Sequence, residues 1–227
     1  MTACGVGIAD ERVEFYQLMS LIFRQEPTQE ACTVLFEVLT GDYFPLEGVD
    51  GLDTLKELSS SIAARRSRLV GSLAAVGREA GAQSLREEYY ELFFNPAELR
   101  VSPWESSYAN DDQLLFQESN GQVKRCYRAY GLEVSNGNFP GDHISTELDF
   151  LRLLAERERA LGWPDAPVGH DLARVLDDHR HFIEDHPARW LPQLCRRLEG
   201  QRSAYYLPLA QMTLDACYLD EALINHG

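Results

Sequence analysis

Two carboxylates and an imidazole, Asp142, His143 and Glu147, fall within one short stretch, Phe139-Pro140-Gly141-Asp142-His143-Ile144-Ser145-Thr146-Glu147-Leu148. Carboxylates paired on one cleft can exchange protons with a substrate or grip a guanidinium through charge-assisted hydrogen bonds. A plainer reading competes. Pro140-Gly141 is a turn dipeptide, and Asp142 then stands where a helix N-cap belongs, its carboxylate accepting from the N–H groups of the first turn. On that reading His143 is solvated and Glu147 is a surface charge, all three near the mouth of whatever lies above the helix.

A second set of titratable residues, His170-Asp171, Asp177-Asp178, His179 and His181, raises the possibility of a helical metal-dependent hydrolase. The spacing argues against one site: His179 and His181 are two apart and point to different faces of a helix, and no fourth ligand is placed by pattern. Nucleophilic chemistry has no better support, since there is no Gly-x-Ser-x-Gly elbow, phosphate-cradling glycine loop or dinucleotide fingerprint. The segment Val101-Ser102-Pro103-Trp104-Glu105-Ser106-Ser107-Tyr108 has no helical period and carries two large amphipathic side chains. Trp104 and Tyr108 are either anchors for a partner peptide or plugs at a junction between two halves of the fold.

The elements that would hold these residues are helical throughout. Ile144, Leu148, Leu151 and Ala155 recur at helical spacing, widened by Phe150 and Leu154. Similar stripes run over residues 11–24, 28–39, 52–76, 85–93, 114–131, 172–183, 190–198 and 205–224. Thr28 is expected to cap the second helix, Gly131 to stop one, and Pro208 to lie in the first turn of the last helix or to kink it. Residues 1–9 are expected to fray, Asn120-Gly121 to interrupt a helix, and Arg65, Arg66 and Arg68 to form a solvated face. No stretch reads as a strand. The pattern predicts an all-α fold, a single bundle of about ten helices in two halves, residues 1–97 and 111–227, joined by an extended connector over 98–110.

Bulk properties narrow the function classes. A chain of 227 residues with 44% hydrophobic and 25% charged content is ordinary for a globular protein. The five cysteines form no CxxC pair, which argues against a disulfide framework and a zinc site. No apolar run is long enough to span a bilayer and no export signal is evident, so a cytoplasmic protein without stable membrane insertion is expected. A formal net charge of -15 opposes nucleic-acid binding and suits a basic peptide or protein partner. An acidic adaptor for a folded partner is compatible with the same charge.

Several stretches together resemble the TorD/DmsD family of molybdoenzyme-specific maturation chaperones. They are Tyr90-Glu-Leu-Phe-Phe94 with Ser102-Pro-Trp-Glu-Ser-Ser-Tyr108, then Pro140-Gly-Asp-His143 followed by Glu147-Leu-Asp-Phe-Leu151. His181-Phe-x-x-x-His186, Trp190-Leu-Pro192 and Tyr205-Tyr206 complete the set, in the family's order. Where the family often has a glutamate before the proline of its P-x-D-H loop, this chain has Phe139. The resemblance implies a non-catalytic protein that needs no cofactor. It would bind the twin-arginine signal peptide of a molybdenum-cofactor redox enzyme and assist maturation of the apo-enzyme, as a monomer or a domain-swapped dimer. By the same resemblance Asp142, His143, Trp104, Ser106 and Tyr108 are peptide-binding residues. Glu147 would add a second carboxylate and Phe139 an aromatic wall, matching a peptide that presents two guanidinium groups beside an apolar stretch.

Overall fold

Apolar residues at intervals of three and four become nine α-helices among the described residues, against about ten expected. They are α1 (Cys4–Arg24), α2 (Gln29–Thr40), α3 (Asp53–Val76), α4 (Arg78–Tyr89), α5 (Gln113–Ala129), α6 (Ile144–Leu161), α7 (Leu172–Asp185), α8 (Pro187–Gly200) and α9 (Tyr206–His226). A π-helical turn, Tyr90–Phe94, extends α4, and a 3-10 turn, Glu105–Ser107, lies in the connector. The structure is a computed structural model describing residues 4–94, 99–108, 113–133, 141–162 and 172–226. No strand occurs among the described residues, where the nearest feature is an isolated antiparallel bridge between Trp104 and His143.

The helix boundaries follow local chemistry. The Thr28 side chain accepts from Ala31 N at 3.2 Å, as expected of an N-cap. Gly77, at φ +82°, makes the left-handed break that lets α4 start immediately after α3. Pro187 opens α8 and Pro208 falls in the first turn of α9, where a missing N–H is harmless. Two expectations fail: helix α1 already begins at Cys4, and α5 runs unbroken through Asn120-Gly121. Helix α4 begins earlier than the stripe over 85–93 and absorbs Gly81, where an added Cβ would lie 3.0 Å from a Leu73 methyl. Close packing of α4 against α3, rather than a loop, explains that glycine.

Two pairs of helices distant in sequence are the closest neighbours, α1 along α6 and α3 along α9, followed by the consecutive pair α8 and α9. The core between them is apolar and aromatic, with Phe15, Tyr16, Met19, Ile22, Phe23, Leu35, Phe182, Trp190 and Tyr206 all buried. Arg65 and Arg66 leave the solvated face predicted for them. Arg65 Nε meets Asp215 at 2.5 Å and its Nη1 donates to Gln211 at 2.7 Å, fastening α3 to α9. Arg66 donates to the carbonyl of Leu39 at 2.8 Å and pairs with Glu47 at 2.6 Å, closing the end of α2. Only Arg68 of the three is exposed.

An ionic cluster lies inside the bundle where α1, α6, α7 and α9 meet. Arg12 contacts Glu158 at 2.6 Å and Asp220 at 2.6 Å, while His179 meets Glu158 at 2.5 Å and Asp220 at 3.2 Å. Tyr16 donates its hydroxyl to Asp220 at 2.7 Å. Although burial opposes charge there, Arg12 and His179 hold the Asp220 carboxyl down at about 2.

The aromatic cluster of Phe23, Tyr89, Phe93 and Tyr206 contains one unsatisfied group, since the buried Tyr206 hydroxyl has no hydrogen-bond partner. Such a group costs about 1–3 kcal/mol of desolvation. Tyr206→Phe is therefore expected to leave the urea midpoint unchanged or raise it, and a loss above about 1 kcal/mol would show that the hydroxyl is satisfied.

Candidate functional site

The connector crosses the start of α6 and is pinned to it by backbone hydrogen bonds. Glu105 N donates to Asp142 O at 2.9 Å, and Ile144 N donates to Pro103 O at 2.9 Å. This short bridge brings the two stretches singled out from sequence into one place. The Trp104 indole meets the His143 ring edge to face, with centroids 5.6 Å apart. Tyr108 donates to Ser102 O at 2.7 Å, stacks at 5.3 Å on Trp190 and lies under the Arg197 guanidinium at 4.4 Å, which rigidifies the far end of the connector.

Asp142 is not the cap of α6. That position belongs to His143, whose Nδ1 accepts from Ser145 N at 3.2 Å. Asp142 instead turns back, and its Oδ2 accepts from Ser106 N at 3.0 Å. The physical reason is the connector: its backbone N–H groups need acceptors in the interior, and Asp142 is the group placed to supply them. Burial also differs from the expectation of a solvated mouth, since Asp142, His143 and Glu147 are 0%, 1% and 1% exposed. Burial lowers the His143 pKa to about 4, so the ring is neutral and able to act as a capping acceptor.

Beneath the connector three carboxyl groups, Glu105, Asp142 and Glu147, come together with His186 and Trp190 of the α7–α8 corner. Trp190 Nε1 donates to Glu147 Oε2 at 3.0 Å, and His186 Nδ1 meets Glu105 Oε2 at 3.0 Å. Burial, then the neighbouring Glu105, raises the Glu147 pKa well above the usual carboxylate range. Against the pull of burial, hydrogen bonds to Cys126 and Glu105 lift the His186 pKa to about 9. The cluster thus pairs a neutral acid with a charged His–Glu contact. Asp142 Oδ1 and Trp104 Nε1 are buried without a hydrogen-bond partner, which leaves one acceptor and one donor for use.

The structure therefore assembles Trp104, Ser106, Tyr108, Asp142, His143 and Glu147 around one bridge, whereas Phe139 lies outside the described residues. Glu105, His186 and Trp190 were not assigned to the site from sequence, although all three stand inside the motifs quoted there. No spacing rule links Glu105 to a histidine at position 186, because the two meet only through the fold. Of the other candidate metal ligands, His170 and Asp171 lie outside the described residues, His179 is in the ionic cluster, and His181 is exposed beside Asp177 at 3.4 Å. Among the described residues no group of three or more His, Cys, Asp or Glu side chains is arranged to hold a metal ion. No helix of the described residues is long and apolar enough to cross a membrane.

The chain is an all-helical bundle with an extended connector over a buried acid cluster, and the family and relatives it matches are those of chaperone proteins rather than enzymes. The chain belongs to the nitrate reductase delta subunit family, whose profile matches residues 55–196. It is 23% identical over 217 residues to the chaperone protein TorD of Vibrio parahaemolyticus, covering 95% of both chains. The chaperone protein TorD of Vibrio vulnificus is 24% identical over 213 residues, again covering 93% of each. A shorter match, 35% over 86 residues, covers 37% of this chain and 42% of the selenate reductase assembly chaperone protein of Thauera selenatis. No solved structure matches the chain.

Proposed function

We propose that this chain is a cytoplasmic chaperone that binds the twin-arginine signal peptide of a molybdenum-cofactor redox enzyme and assists cofactor loading and maturation before export. The observation that carries this reading is the meeting of the connector with the start of α6 over three carboxyl groups, in a chain whose relatives, matched nearly end to end, are named as chaperones. A guanidinium needs charge-assisted acceptors and the apolar stretch after it needs aromatic walls. Asp142 supplies the first through its unpartnered Oδ1, Glu147 joins it on losing its proton to water as the guanidinium arrives, and Trp104, Tyr108 and Phe139 supply the second, with Ser106 and His143 holding the loop. Because Asp142 and Glu147 are covered, the peptide gains access as the connector lifts from α6. Residues 98–110 then act as a hinge between the halves 1–97 and 111–227, a geometry that accommodates either a monomer or a domain-swapped dimer.

Titration calorimetry with twin-arginine signal peptides encoded beside this gene tests the reading. Binding is expected at micromolar affinity or better, weakening as salt is raised. Asp142→Asn keeps one oxygen for Ser106 N and should retain the fold while weakening the peptide at least tenfold, a loss of about 1.4 kcal/mol. Absence of binding to every such peptide would refute the proposal.

A further inference from the structure

The carboxylates beneath the connector are covered, yet a cationic peptide needs charge it can meet from solvent. A cleft of about 880 Å³ offers it, between the α1–α2 turn, α4 and the start of the π-helical turn. Four glutamates line it, Glu26, Glu79, Glu87 and Glu91, against one arginine, Arg86, which is already paired with Glu26 at 2.9 Å. Glu79 and Glu87 lie eight positions apart on one face of α4, about 12 Å by helical rise.

Its rim is aromatic. Tyr90, which lines the cleft, meets the neighbouring Phe94 ring at 5.8 Å, and the two are 43% and 69% exposed. They differ from the neighbouring Tyr89 and Phe93, which are buried in the core. Exposed aromatics beside carboxylates suit a segment that is both cationic and apolar, because arginine stacks on the ring while its fork reaches the acid. The π-helical turn that lines the cleft also touches the connector: Val101 N donates to Leu92 O at 3.0 Å, and Arg100 approaches Glu91 at 3.9 Å.

We infer that the cleft between the α1–α2 turn and α4 docks a peptide segment with two adjacent arginines, whose apolar continuation passes over Tyr90 and Phe94 toward the connector. This rests on the signal-peptide reading and adds to it the place where the arginine pair is first held. The exposed glutamates raise the encounter rate, and the aromatic rim selects a segment that is apolar after its charges.

Fluorescence polarisation on the full chain tests it, with a labelled synthetic peptide of two adjacent arginines followed by an apolar stretch. The variant Glu79→Lys with Glu87→Lys is expected to weaken binding at least tenfold at low salt, mostly through slower association. Glu79→Gln with Glu87→Gln, which removes charge without reversing it, should weaken it severalfold, and Phe94→Ala should do the same with little change in salt dependence. Both glutamates are solvent-exposed, so thermal melts should match the wild type. Affinity unchanged within twofold in the glutamine and lysine variants would overturn the cleft while leaving the signal-peptide reading intact. A wild-type chain that ignores the peptide altogether would sink both.

Discussion

Asp220→Ala is expected to destabilise the fold by about 3–5 kcal/mol, read as a drop in the urea midpoint at neutral pH. Asp220 is completely buried and simultaneously faces Arg12 at 2.6 Å, the Tyr16 hydroxyl at 2.7 Å and His179 at 3.2 Å. Removing it leaves the Arg12 guanidinium and His179 to share the single carboxylate of Glu158 and takes the Asp220 acceptor from Tyr16, and an uncompensated buried charge is the expensive part. The worth of the pair itself is a separate quantity. In the double variant Arg12→Met with Asp220→Leu both charges leave together, so the loss should fall well below the sum of the single losses. Acid acts on the same contact: with its folded pKa at about 2 against an ordinary value of 3.8, Asp220 contributes stability above pH 3.8 that is lost as pH falls toward 2. A loss below about 1 kcal/mol for Asp220→Ala would mean that water reaches the cluster.

Alkaline pH is expected to loosen the connector. The His186 pKa is raised from 6.5 to about 9, worth on the order of 3 kcal/mol, so its contribution is fully present below pH 6.5 and lost as pH rises through 9. Glu147 works in the same direction. Its folded pKa is raised above the ordinary 4.5, so the stability of its neutral form is greatest below pH 4.5 and declines as pH rises toward the folded value. Both groups touch Glu105, and Glu105 is part of the connector, so the segment that loosens first should be residues 99–108. Amide hydrogen exchange at Glu105, Ser106 and Tyr108, corrected for the intrinsic pH dependence, should lose protection between pH 7 and 9. Glu147→Gln imitates the neutral acid and should flatten part of that slope, whereas His186→Gln should remove most of it. A connector equally protected across this range in the wild type would show that the Glu105–His186 contact does not hold it.

Helix positions were legible because each rests on a local cause that the chain carries with it. Apolar periodicity set the α6 stripe, Thr28 capped α2, and Gly77 and Gly131 ended their helices at positive φ. Errors arose where a neighbour overrode the local preference. Gly81 falls between the expected stripes over 52–76 and 85–93, yet it lies inside α4 and packs against Leu73. Asn120-Gly121 looked like a break and is carried through as helix within α5. Arg65 and Arg66 looked solvated because nothing within a few residues could pair them, while Asp215 lies 150 residues away from Arg65.

At the site, the residue types were readable and their roles were not. Sequence by itself determined that Trp104, Ser106, Tyr108, Asp142, His143 and Glu147 belong to two unusual stretches, in the order and spacing of a chaperone family. Only the tertiary structure decided that the stretches touch, that His143 rather than Asp142 caps α6, and that Glu105 and His186 complete the acid cluster. The reason is physical: a cap is chosen by competition among nearby backbone groups, and here the competitor is a connector some 36 residues upstream. A pattern along one chain records which side chains are available, whereas burial and pairing are settled by what the fold presses against them.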